Sequence, residues 1–173
     1  MTLKTVPTHI YIAADSRSGS TLLDLLIGNH SQIISVGELR RLNEHYNGHF
    51  ACTCEAVFNE CEFWQAIEDR LNQSNCSLKE METLIPSSKS VTHDLFYFLP
   101  QFILKKLSSR YSWLHRDFKI AANNLTVIDS ISQQNKVNFV ADSSKVFKLA
   151  RLFRILSPES NKVIFLIRDG RAV

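Results

Sequence analysis

A chain of 173 residues is long enough for one domain, and at this size roughly 70% of the unfolded chain's surface is buried on folding. Hydrophobic residues make up 45% and charged ones 21%, which excludes a disordered or fibrous polymer. The formal net charge of +3 suits a modest anionic ligand but falls short of the concentrated basic footprint of a nucleic-acid binder.

The N-terminal stretch MTLKTVPTHIYIAADS has no apolar run of secretory type, so a cytoplasmic location is expected. Thr8 to Ala14 is short, apolar and β-branched in character, then stops at polar turn residues, which predicts a buried strand. Ser20 to Gly28, STLLDLLIG, predicts a helix ended by Gly28 and Asn29. Leu22, Leu23, Leu25, Leu26 and Ile27 make that helix apolar on almost every side, so it is expected to be buried on most of them. A second short strand over Gln32 to Val36 completes strand, helix and strand within ~30 residues, the length of a βαβ unit.

Residues 43–136 differ in texture, with scattered cysteines, Asn and Ser clusters, and helical spacing at Phe118, Ala121, Ala122, Leu125 and Ile128. They predict a mainly helical insertion, with loops near Cys76 and after Pro86. The most apolar run, Leu95 to Leu104, is interrupted by Pro100 and Gln101 and reaches about half the ~20 residues of a membrane span. It is expected as core helix or interface, and no membrane span is expected.

Strand and helix then alternate again. Residues 136–141 predict a strand, Asp142 to Leu156 a helix with Val146, Leu149, Ala150, Phe153 and Leu156 on one face, and residues 162–167 a final strand. The alternation predicts an α/β fold, a parallel sheet with flanking helices. After RDGRAV the chain stops at Val173, where another helix is expected to begin, so the domain reads as incomplete at its C-terminus.

Two segments point to an anion. Aligned to the phosphate-loop pattern G-x-x-x-x-G-K-[ST], Ala14 takes the first glycine, Gly19 the second, Ser20 the lysine and Thr21 the hydroxyl position. The backbone N–H groups of such a turn and the helix start behind it suit an anion, and Arg17 supplies a planar fork of donors inside the loop. The same residues also suit a plain strand-to-helix turn, with Ser20 or Thr21 as N-cap and Arg17 in solvent. The strand over 162–167 runs into RDGR, which puts Arg168 and Arg171 at a strand's carboxyl end, where ligands bind in open α/β sheets.

Together, SRSGSTLLDLLIGNHSQIISVGEL and the later VIFLIRDGRAV resemble the sulfotransferase superfamily, whose donor is 3′-phosphoadenosine 5′-phosphosulfate (PAPS). Arg17, Ser18, Gly19, Ser20 and Thr21 match that family's 5′-phosphosulfate loop, with Leu22 next to it. Arg168 matches the arginine of its 3′-phosphate motif, whose serine would lie beyond Val173. VADSSK, Val140 to Lys145, is similar to a strand-end segment of bacterial members, and Glu38 of GEL stands where several members place a catalytic glutamate.

The resemblance covers about the first 45 and the last 35 residues and implies a P-loop-like PAPS-dependent sulfotransferase acting on an unknown hydroxyl or amine acceptor. It implies that Arg17 and the loop amides stabilise the leaving group, that Glu38 is the general base, and that Ser144, Lys145 and Arg168 hold the donor. Asp142 can also do no more than cap the following helix, and Glu38 no more than face a helix dipole. No Mg²⁺ ligand set is apparent and no metal cofactor is expected. A P-loop phosphotransferase is disfavoured by Ser20 at the lysine position, and a truncated, non-catalytic nucleotide-binding remnant is the other alternative.

Four cysteines without an export signal argue for thiols or a metal site over a disulfide framework. His49, Cys52, Cys54 and Cys61 can hold zinc tetrahedrally, but their spacing departs from C-x-x-C pairs, so free or packing thiols are the first reading. The segment resembles a C-x-C-G…C-P-F-W stretch of bacterial members of that superfamily, with Glu55 and Glu62 here at the Gly and Pro positions. Trp64 and Trp113 are expected in the core.

Overall fold

The computed structural model describes residues 7–48, 50–86 and 91–169. Its centre is a parallel sheet of four strands: β1 (Thr8–Ala14), β2 (Ile33–Ser35), β3 (Phe139–Asp142) and β4 (Asn161–Leu166). Their order across the sheet is β2-β3-β1-β4. β1 lies between β3 and β4, with Ile10 opposite Ala141 on one side and Lys162 on the other. A strand paired on both edges and covered on both faces should read as a continuous apolar run. Tyr11, Ile12 and Ala13 are accordingly buried.

Helix α1 (Ser20–Gly28) has the expected limits but not the expected burial. Leu22, Leu25 and Leu26 are 61–64% exposed, whereas Ser20 and Asp24 are buried. The helix lies on the sheet by its shortest side chains, Ser20, Asp24 and Gly28, spaced one turn apart on one face. A Cβ at Gly28 would stand 2.9 Å from the Ser35 Cβ, so glycine sets how closely α1 approaches β2. Among the described residues nothing covers the leucines on its far side.

Between β2 and β3 come α2 (Leu42–Asn47), α3 (Glu62–Asn72), α4 (Val91–Phe96), α5 (Gln101–Ser108) and α6 (Ser112–Asn135), with short 3₁₀ turns at Leu39–Arg41 and Phe58–Glu60. The insertion is thus mainly helical. Pro100 precedes α5 and divides the apolar run, burying Tyr97 and Leu104 but leaving Leu95, Phe98 and Phe102 exposed. The 24-residue α6 ends where Lys136 turns left-handed at φ 54°, which delays β3 beyond the expected start at 136. Its first half, through Leu114, Ile120 and Ala121, packs with Tyr11, Leu149 and Phe153. Its second half, through Val127, Ile128 and Ile131, packs with Leu39, Trp64, Leu71 and Val140.

Helix α7 (Phe147–Leu156) begins five residues later than expected. Lys145 sits at φ 68°, a left-handed conformation through which a right-handed helix cannot run. Asp142 therefore caps nothing on α7; it ends β3. No described helix is long and apolar enough to cross a membrane.

Candidate functional site

α1 crosses from β1 toward β2, and α7 crosses from β3 toward β4. The carboxyl ends of the neighbouring strands β1 and β3 are thereby left between departing connections, the usual place for a ligand crevice in an open α/β sheet. A cleft of 530 Å³ opens there, lined by the β1 end and loop from Ala13 to Ser18, by Lys145 and Phe147, and by the β4 end from Phe165 to Arg168.

The first wall is the loop Asp15–Ser18, which Gly19 joins to α1. Arg17 is left-handed at φ 60° and Gly19 at φ 90°, so the backbone reverses twice before α1 starts. Its internal bonds are local: the Ser16 N–H donates to the Asp15 carboxylate at 2.7 Å, and the Ser18 hydroxyl to the Asp15 carbonyl at 2.7 Å. The hydroxyl cap of the alternative, plain-turn reading does not form, because Gly19 occupies the N-cap position and no side chain bonds there. Ser20 is buried under the helix start, whereas Thr21 and Leu22 are exposed; none of Gly19 to Leu22 lines the cleft.

The second wall is the β4 end. The Arg168 Nη1 donates to the Arg17 carbonyl at 3.0 Å, across 151 residues of chain. The two arginines singled out in the sequence thus meet in one cleft. Arg171 lies outside the described residues.

The third wall is the loop from Asp142 to Val146, and it is braced from several sides. Asp142 Oδ1 accepts the Ser144 N–H at 2.8 Å, the Ser144 hydroxyl, and the Leu39 N–H at 3.3 Å. The Ser144 hydroxyl also accepts the Arg40 N–H at 3.0 Å. Ser144 is fully buried with its hydroxyl engaged in this way, so it stands behind the cleft rather than in it. The Tyr11 hydroxyl accepts the Val146 N–H and donates to the Val146 carbonyl, at 2.8 and 2.9 Å, while the Ser143 N–H donates to the Gly37 carbonyl at 2.8 Å.

This bracing presents Lys145 to the cleft. The Lys145 ammonium lies 2.9 Å from Glu38 Oε1, and the Arg40 guanidinium 3.0 Å from Glu38 Oε2. Partial burial pushes the Glu38 carboxyl up, but the hydrogen bonds and charges of Lys145 and Arg40 outweigh it and hold the group below the usual carboxylate range. Glu38 stays ionised at neutral pH and reaches the cleft only through Lys145.

Two polar residues here escaped the sequence reading. Tyr11 is a hydroxyl inside an apolar strand, and Asp24 a carboxylate in a leucine-rich helix; that incongruity was the available signal. Burial holds the Asp24 carboxyl above its ordinary range, against the opposing bonds to Ser35 and Ser143. On the sheet's other side His9 Nδ1 bonds Asn161 Oδ1, and its Nε2 faces Asp142 Oδ2 at 3.6 Å, so the β3 end is packed among polar groups throughout.

Away from the cleft, Cys52, Cys54 and Cys61 come together with all three Sγ atoms within 4.8 Å of one another. His49 lies outside the described residues, and Cys76 stands apart from the group. Trp64 is core, stacked on Phe58, and Trp113 is partly buried against a stacked His93. No protein family, curated protein or solved structure matches the chain.

Proposed function

We propose that the chain is a P-loop-like PAPS-dependent sulfotransferase domain, moving a sulfonate group from the donor nucleotide to a hydroxyl or amine of an acceptor. The observation that carries this reading is the meeting of Arg17 and Arg168 in one cleft, with Lys145 opposite. PAPS bears two anionic ends, and the cleft offers cations from three separate strand ends. Phe147 and Phe165 add an apolar wall on which a purine can stack.

In that reading the acceptor oxygen or nitrogen attacks sulfur in line. The bond from sulfur to the bridging phosphate oxygen breaks, and 3′,5′-adenosine bisphosphate leaves with the electron pair. Arg17 and the loop amides stabilise the charge that builds on the leaving oxygen. Lys145 supports the same oxygen from the facing wall, and Arg168 holds the 3′-phosphate. Glu38 takes the acceptor proton, exchanging its bond to Lys145 for one to the acceptor. Its depressed basicity makes it a weak base, so the step relies on the acceptor acidifying as attack proceeds.

Calorimetry with 3′,5′-adenosine bisphosphate tests the reading on the folded chain. Saturable one-to-one binding supports it, and no binding at millimolar ligand rejects it. Tighter binding of ATP with Mg²⁺ would favour a phosphotransferase, and donor binding without sulfonate transfer to any acceptor would leave a nucleotide-binding remnant.

A further inference from the structure

We infer that Cys52, Cys54 and Cys61 form a thiolate site for a soft divalent metal, zinc, which clamps a hairpin to the start of α3. The hairpin is built first by the backbone. Ala51 bridges Val57 in antiparallel fashion, the Cys52 N–H donates to the Ala56 carbonyl at 2.8 Å, and the Glu55 N–H to the Cys52 carbonyl at 2.9 Å. Glu55 takes the left-handed position at φ 71° that closes a turn of this length. The turn brings Cys52 and Cys54 to one side, and Cys61, the N-cap residue of α3, approaches from the other.

The sulfur geometry suits a metal better than a disulfide or simple packing. Tetrahedral zinc with Zn–S bonds of 2.3 Å places its sulfurs about 3.8 Å apart. Here Cys54 and Cys61 are 3.5 Å apart and all three sulfurs fall within 4.8 Å, so small rotamer changes close three corners of a tetrahedron. A disulfide needs about 2.05 Å between two sulfurs and leaves the third without a purpose. Packing explains Cys61, which is buried, but not Cys54, which is exposed. The exposed side at Cys54 leaves the fourth corner open to water or an imidazole. Binding releases the thiol protons to solvent as the three Zn–S bonds form, so affinity rises with pH.

The test uses the whole chain, reduced and purified without chelator. Zinc by elemental analysis should be near one per chain, should fall to near zero in Cys54→Ser, and should be unchanged in Cys76→Ser. Cobalt(II) added to the metal-free protein should give a thiolate charge-transfer band and the visible bands of a tetrahedral ion. Because Cys54 is exposed, its variant should keep the wild-type circular dichroism; if it does not fold, the cobalt spectrum of the wild type decides. Absence of both zinc and the cobalt bands in reduced wild-type protein overturns the site, and so does full metal content in Cys54→Ser.

Discussion

The two loops that face each other across the cleft are held in opposite ways. The loop from Asp142 to Val146 is fixed by buried or half-buried partners on two other segments: the stretch after β2, through Gly37, Leu39 and Arg40, and β1, through Tyr11. The Asp15–Ser18 loop is exposed, bonds mostly to itself, and is joined to the rest of the site through Arg168. One wall is held by bonds of its own, and under the proposed function the other offers its amides and guanidinium to the anion of the donor. If the proposed function holds, stability resides in one loop and affinity in the other.

Substitutions should separate the two. The largest effect on stability belongs to Asp142→Ala, which strips the acceptor from two N–H groups and a hydroxyl in a buried setting and should cost about 3 kcal/mol. Urea denaturation reads this directly, and a loss under 1 kcal/mol would show that the bracing is incidental. Arg17→Ala should do the reverse, leaving the melting temperature unchanged while weakening 3′,5′-adenosine bisphosphate roughly 10- to 100-fold, the usual value of hydrogen bonds to a charged group. Equal affinity in that variant would remove Arg17 from the site.

Gly19→Ala forces a β-carbon into φ 90° and should cost about 1 kcal/mol, although no neighbouring atom obstructs the new methyl group. The smallest change in stability is expected for Glu38→Gln. Its partly exposed ion pairs contribute little and are screened by salt. Because the folded-state carboxyl is held below its ordinary range, its contribution is present at neutral pH and is lost as pH falls through that range. The wild type should therefore lose a little more stability than Glu38→Gln on acidification, whereas turnover at neutral pH should vanish in the variant. An identical acid response in both would show that the ion pairs contribute nothing to folding.

Much of the sheet was legible because each strand is a short, mostly apolar run bounded by turn residues, and the limits of α1 followed from its end signals. The burial of α1 was not legible. Five apolar side chains suggest a helix enclosed all round, yet the contact with the sheet went to Ser20, Asp24 and Gly28, because close approach is decided by small side chains rather than by apolar ones. The late start of α7 was hidden for a different reason: nothing local about a lysine announces a left-handed backbone, which here comes from bonds to distant segments.

At the site, strand-end logic was enough to bring Arg17 and Arg168 together, since all strands of a parallel sheet end on one side. It could not separate Ser144 from Lys145, adjacent residues of which one is consumed by Asp142 and Arg40 and the other faces the opening. That choice depends on a hydrogen-bond network between residues about a hundred positions apart.

Helix α6 has a consequence for the chain as a whole. Because its two halves complete two different apolar clusters, one under the sheet's centre and one inside the insertion, neither cluster can be dismantled without exposing part of the other. The insertion is therefore not a detachable ornament on a minimal sheet. Shortening it to a loop would remove the shared beam, and the chain should melt as one cooperative unit, not as a stable sheet with a looser appendage.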